Sequence, residues 1–258
     1  MKLFHIVVIC SFPLVFKAQS QEAKQLLFIG NSLTYYHDMP LILQEMLNET
    51  GIRISVHQAT VPGISLKDHI TNPKTIATLR GSHWDYVVLQ EATVRVLIPE
   101  SEKYLVSPAI ILLDSLIKRQ GAKTVLYQPY ALSTYPIKYC YPSTLINQKQ
   151  PQTNYCSIEL TDSKQEFKII EDSYNHLAGT IHGEIARVGA TFELFKQRNS
   201  ELLLFESREN RHPSRLGSYL IACVFFRHLT GRKASDLKYD AKLGKLQAGM
   251  ARTIVDSL

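Results

Sequence analysis

Leu26-Leu27-Phe28-Ile29-Gly30-Asn31-Ser32-Leu33-Thr34-Tyr35-Tyr36 is the stretch whose reading decides the fold. Four successive apolar residues, Leu26 to Ile29, predict a short strand buried on both faces. Gly30 and Asn31 break it, because both tolerate the backbone angles of a sharp turn. Ser32 follows at once, at the carboxyl end of a strand and in a loop leading to a helix. Asp38 is expected to cap that helix, with Pro40 in its first turn. Met39, Ile42, Leu43, Met46 and Leu47 then recur at helical spacing up to Gly51. Open α/β sheets bind their ligands at such strand ends, so Ser32 is a candidate site residue. A serine there can equally do no more than hydrogen-bond the turn.

Working outward, strand and helix patterns alternate. Ile52 to Val56 reads as a strand, and Val61 to Leu66 as a turn into a short helix. Trp84 to Gln90 reads as a central parallel strand. Ser101 to Arg119 is helical, and Thr124 to Tyr127 a strand closed by Pro129. Ser163 to Val188 is expected to be helical throughout, with Ala190 to Leu194 as the last strand. Pro213 opens an apolar helix to Leu229, and Ala241 to Leu258 reads as a final amphipathic helix. Alternation without runs of hairpins implies a parallel sheet covered on both faces. The expected fold class is therefore α/β, a three-layer α/β/α sandwich of flavodoxin-like type with about five parallel strands.

Residues 1–20 carry Lys2, a largely apolar run from Leu3 to Phe16, and Ala18-Gln19-Ser20, the layout of a bacterial signal peptide. The expectation is a secreted or periplasmic chain without a stable membrane anchor, residues 21–258 forming one domain. Removing Lys2 and Lys17 lowers the formal charge from +6 to +4. With no basic run that would track phosphates, nucleic acid is excluded as the expected partner. Cys140 and Cys156 bracket a polar segment within the long, irregular 131–160 region, and are expected to pair in an oxidising compartment. Cys223 lies in an apolar helix as a buried thiol. No Cys or His spacing suits a metal, so no metal and no cofactor are expected.

Near the other end stands Glu209-Asn210-Arg211-His212-Pro213-Ser214. A serine hydroxyl needs a base to take its proton, and a neutral imidazole suits that task once an acceptor fixes its tautomer. Ser32, His212 and Glu209 are thus candidate catalytic residues, with Asn210 the alternative for orienting His212. Gly30-Asn31-Ser32 and the acid-x-x-His segment together resemble the blocks of the SGNH (GDSL-like) hydrolase superfamily of esterases and lipases. That resemblance implies a serine esterase acting through an acyl-enzyme, on the flavodoxin-like fold, without a cofactor. It also implies an oxyanion hole formed by the Ser32 N–H, a glycine of the second block, here Gly63, and an amide of the third. Gly63 is otherwise an ordinary turn glycine. The third block departs from the family's Gly-x-Asn, and Gln90 supplies the amide either as an oxyanion donor or by holding the Ser32 loop. Glu91 beside it reads as a loop-fixing acid. Gln-Glu at a strand end resembles secreted acetylesterases of the superfamily that act on sugars. With Tyr35, Tyr36 and the tyrosine-rich 131–160 region, this makes a small-molecule or glycan ester the expected substrate. Two other classes stay open on the same fold, a catalytically impaired carbohydrate-binding module and a phosphate or flavin binder.

Overall fold

The computed structural model describes residues 22–131, 134–147, 154–207 and 210–258. Five parallel strands form the central sheet: β1 (Lys24–Gly30), β2 (Ile54–Thr60), β3 (Tyr86–Leu89), β4 (Lys123–Tyr127) and, after the two short strands β5 (Cys140–Pro142) and β6 (Asn154–Cys156), β7 (Glu184–Ala186). Their order is β2-β1-β3-β4-β7, all parallel, the flavodoxin-like arrangement expected from the alternation. In that order β1 and β3 flank the point where the chain switches direction across the sheet, and the crevice beyond their carboxyl ends is where such folds seat a ligand.

Period-two alternation of β1 divides the core. Leu26 and Phe28 face helices Met39–Glu49, Val188–Arg198, Arg215–Thr230 and Lys245–Asp256. Leu27 and Ile29 face helices Leu66–Thr71, Ser107–Lys118 and Ser163–Ile181. All four side chains are fully buried, each contributing about 1.5–3 kcal/mol of transfer free energy.

Four expectations need correction. Asp38 occupies the residue before helix Met39–Glu49 but is left-handed and makes no capping bond. Asn31, seven residues earlier, caps a separate short helical turn, Ser32–Tyr35. The second strand runs over Ile54–Thr60, because it follows β1 in register from Lys24↔Ile54 to Gly30↔Thr60. The long helix stops at Ile181, where His182 turns left-handed, so the last strand is Glu184–Ala186 and 188–198 is helical. Three residues pairing with β4 on an edge leave too short a pattern to read against the strong helical periodicity on both sides.

Cys140 stands opposite Cys156 in the antiparallel β5–β6 hairpin, and the two form the expected disulfide. The hairpin carries its own small core, in which Tyr155 and Ile146 pack with Ile98 and Leu105. Cys223 is a free, buried thiol. Among the described residues no helix is long and apolar enough to cross a membrane. The expected signal peptide lies outside the described residues.

Candidate active site

Ser32 sits on a loop whose every turn is tied down. Asn31, almost fully buried, donates through Nδ2 to the Ile64 carbonyl at 3.1 Å and accepts the Leu33 N–H on Oδ1 at 3.1 Å. Gln90, at the end of β3, accepts the Asn31 N–H at 2.8 Å and the Thr34 hydroxyl at 3.0 Å on its Oε1. Its Nε2 donates to the Glu91 carbonyl at 2.9 Å. Through these bonds Gln90 ties the end of β3 to the Ser32 loop. Gly30 is glycine for the same reason: a Cβ there would stand 2.6 Å from Gln90 Oε1 and 2.8 Å from Thr34 Oγ1. Buried His69 completes the support, one ring nitrogen 2.9 Å from the Gly30 carbonyl and the other 2.7 Å from Thr75 Oγ1.

The neighbouring loop brings Gly63 to the same end of the sheet. Val61 N donates to the Gly30 carbonyl at 3.1 Å, and Gly63 is left-handed, with open space where a Cβ would stand. Glu91 fixes the following segment, its two oxygens accepting the Leu66 N–H at 3.0 Å and the Ala92 N–H at 2.8 Å. Burial pushes its carboxyl up to about 7, against the opposing pull of those N–H groups and of Arg95. It is the loop-fixing acid read from the sequence.

His212 arrives from the far end of the chain. Phe205 bridges Pro213, Ser214 N donates to the Leu204 carbonyl at 2.8 Å, and Glu206 N to the His212 carbonyl at 3.0 Å. His212 Nε2 then lies 2.8 Å from Ser32 Oγ, a contact between residues 180 apart in sequence. On the other side Nδ1 lies 2.8 Å from Asn210 Oδ1, which also accepts the His212 backbone N–H at 3.1 Å. Two donors converging on one atom require an oxygen there, so Nδ1 carries the proton and Nε2 is free to accept from the serine. Burial lowers the basicity of the imidazole, and the Glu206 carboxylate raises it. Glu209, the expected orienting acid, lies outside the described residues.

Sequence reasoning missed three neighbours of this pair. Tyr36 stacks on the His212 ring, centroids 4.0 Å apart and planes 3° from parallel. His37 pairs with Glu206. Arg211 lies 5.0 Å over the ring of Tyr139, at the base of the disulfide hairpin. Side chains meeting across 169 residues, as His37 and Glu206 do, leave no local pattern to find them by.

No protein-family model matches the chain, and none of the curated proteins does. Solved structures do match. A candidate SGNH hydrolase from Slackia heliotrinireducens superposes with a TM-score of 0.58 at 22% identity, covering 81% of this chain and 100% of that one. A DUF4886 family protein from Bacteroides uniformis gives 0.69 at 18% identity, over 92% and 94% of the two chains. An acetyl xylan esterase gives 0.58 at 14% identity, over 80% and 99%. At these identities the likeness is one of architecture. The chain has the three-layer α/β/α fold of the SGNH (GDSL-like) hydrolases.

Proposed function

We propose that the protein is a serine esterase, cleaving carboxylic esters through an acyl-enzyme on Ser32. The observation that carries this is the 2.8 Å contact between Ser32 Oγ and the unprotonated Nε2 of His212. As Oγ attacks the ester carbonyl carbon, its proton passes to Nε2, and the imidazolium then hands it to the departing alcohol. Water repeats the sequence on the acyl-serine, with His212 taking the water proton and returning it to Oγ. Asn210 holds Nδ1 protonated throughout, the part played by asparagine in Cys-His-Asn enzymes. The tetrahedral oxyanion is met by the Ser32 N–H, which at the first position of its helical turn has no intrahelical acceptor, and by the Gly63 N–H. Gln90 and Asn31 serve by keeping the Ser32 loop where this geometry holds. A phosphate or flavin binder on the same fold would leave the Ser32–His212 contact without a task.

The substrate class we favour is an acylated glycan. Tyr139 and Tyr141 pack against the small core of the hairpin, with Ile98, Leu105, Ile146 and Tyr155. The Arg211 guanidinium joins Tyr139 to the His212 loop. Tyr35, partly exposed in the helical turn that Ser32 opens, offers an aromatic side chain of the kind that suits a sugar ring. The disulfide fits the oxidising, extracytoplasmic setting expected from residues 1–20.

A fluorophosphonate tests the chemistry directly, because it phosphorylates only an activated serine. Stoichiometric labelling at Ser32, lost in His212→Ala, is expected. An unlabelled wild-type protein sinks the proposal. Acetylated xylo-oligosaccharides should be turned over with a higher kcat/KM than p-nitrophenyl acetate, and the reverse order would point to a small-molecule ester.

A further inference from the structure

In a Ser-His-Asp triad the carboxylate both fixes the tautomer and stabilises the imidazolium that forms. Asn210 does the first and, being neutral, cannot do the second. The segment after Ser32 offers what is missing. Resting on the esterase reading, we infer that Tyr36 is a positioning residue for His212, a stacked floor that fixes the plane of the imidazole and faces its charged form, latched by the His37–Glu206 pair.

Tyr36 is anchored on both sides of its own peptide. Its N–H donates to the Ser32 carbonyl, and its carbonyl accepts the hydroxyl of buried Ser218 at 3.0 Å. The next two residues, His37 and Asp38, are both left-handed, at φ 49° and 57°. Neither is glycine, and consecutive left-handed residues with side chains persist only where the surroundings hold them. What holds this pair is visible. His37 Nε2 meets the Glu206 carboxylate, and Glu206 N donates to the His212 carbonyl. The loop that carries the base is thus tied to the loop that carries the nucleophile at three points: the ring stack, the His37–Glu206 contact and the Ser32–His212 bond itself.

The stack has a chemical consequence beyond packing. An aromatic face is negative, and a cation over it is attracted, whereas a neutral imidazole gains much less. At 4.0 Å and 3° the Tyr36 face therefore favours the imidazolium that forms as Ser32 loses its proton. Glu206 acts in the same direction through space. Among the described residues two groups carry this preference: Tyr36 from the nucleophile side, and Glu206, which meets His37, from its own loop. Asn210 is neutral, the helix Arg215–Thr230 presents Ser218 to the same turn, and the Arg211 guanidinium is turned onto Tyr139.

The experiment pairs histidine-labelled NMR with kinetics. In the Ser32→Ala protein the His212 ring protons should be shifted upfield by the Tyr36 ring current, with Nδ1 protonated. Tyr36→Leu should abolish the shift, and on the active background lower kcat on the order of 10- to 100-fold with little change in KM. Tyr36→Phe, which keeps the face and loses only the hydroxyl, should restore both. Glu206→Gln, at an exposed position, reports even if Tyr36→Leu does not fold: its acid limb of kcat/KM should move to lower pH, with a plateau loss of about fivefold at most. Tyr36→Leu with an unchanged His212 spectrum or unchanged kcat overturns the role, and so does an acid limb that Glu206→Gln does not move. The two hypotheses separate cleanly. A wild type inert to fluorophosphonate defeats the esterase and the catalytic role of Tyr36 with it. Wild type and Tyr36→Leu labelling at one rate defeats the positioning role alone.

Discussion

The two halves of the candidate dyad are held in opposite ways. Ser32 ends a strand in which Leu26 to Ile29 are all at 0% exposure, and its loop is fixed by Gln90, Asn31 and His69, themselves buried. His212 lies half-buried on a loop whose flanking Glu206 and Asn210 are exposed, held by a bridge, a stack and the His37–Glu206 contact. The candidate nucleophile is held by buried groups at the end of the sheet, and the candidate base by contacts at the surface. Mutations in the buried supports of Ser32 should therefore damage fold and activity together, whereas those around His212 should damage activity alone.

Ser32→Ala is expected to have the largest effect. It removes the nucleophile and no buried bond, so hydrolysis of p-nitrophenyl acetate should fall on the order of 10⁴-fold or more, with the melting temperature nearly unchanged. Turnover at the wild-type rate would place the nucleophile elsewhere. Gln90→Ala comes next and probes the rigid half. It strips the acceptor from the Asn31 N–H and the Thr34 hydroxyl, each costing about 1–3 kcal/mol when buried and unpaired. A displaced Ser32 loop should also lower kcat on the order of 10²-fold. Gly30→Ala should behave alike, since its methyl group would strike Gln90. Loss of activity without loss of stability in both variants would contradict the contrast drawn above.

Asn210→Ala is the matching probe of the soft half. The side chain is exposed, so chemical denaturation should barely register the change, while kcat falls on the order of 10²-fold as Nδ1 loses its acceptor. Glu209→Gln should cost less than Asn210→Ala. The opposite ranking would return the orienting role to Glu209. In either case kcat/KM should fall on the acid side as His212 takes up a proton. Because burial outweighs Glu206, that limb should lie below the ordinary histidine value of 6.5. A limb centred above it would mean that a carboxylate dominates the ring.

The same contrast explains what the sequence disclosed. Strand β1, its break at Gly30 and the place of Ser32 are encoded by consecutive residues, so local pattern sufficed. So did the buried helix after Pro213 and the disulfide, where composition marks a polar segment against an apolar one. Strand β7 did not show, because three edge residues between two helices carry little periodicity. Asp38 reads as a cap by residue type, but its left-handed backbone, which the sequence does not show, leaves it without a capping bond. For Gln90 the residue type was readable but not its direction, which depends on Gly30 and Thr34 across two strands. The contacts of Tyr36, His37 and Glu206 with the His212 loop were invisible for the reason that makes their side of the site soft: they are tertiary and join segments far apart in sequence.

Glu91 supplies the smallest expected effect on turnover and the clearest one on stability. It lies at the end of β3 beside Gln90, 1% exposed, its carboxyl bridging the Leu66 and Ala92 N–H groups. Burial raises its titration to about 7 from an ordinary 4.5, so the folded state binds this proton more tightly than the unfolded chain does. Its contribution to stability is therefore full below about pH 4.5 and is lost progressively as pH rises through 7. The limiting slope for one proton is about 1.4 kcal/mol per pH unit, and the whole window amounts to about 3 kcal/mol at most. Urea denaturation of the wild type at pH 5 and pH 8 should show the higher-pH sample less stable. Glu91→Gln should be flatter across the same window, because an amide does not titrate. It should also start lower, because its single oxygen can accept only one of the two N–H groups. Equal pH slopes in the two proteins would remove Glu91 as the titrating group. They would also leave the 63–66 segment held by hydrogen bonds whose strength does not depend on its charge.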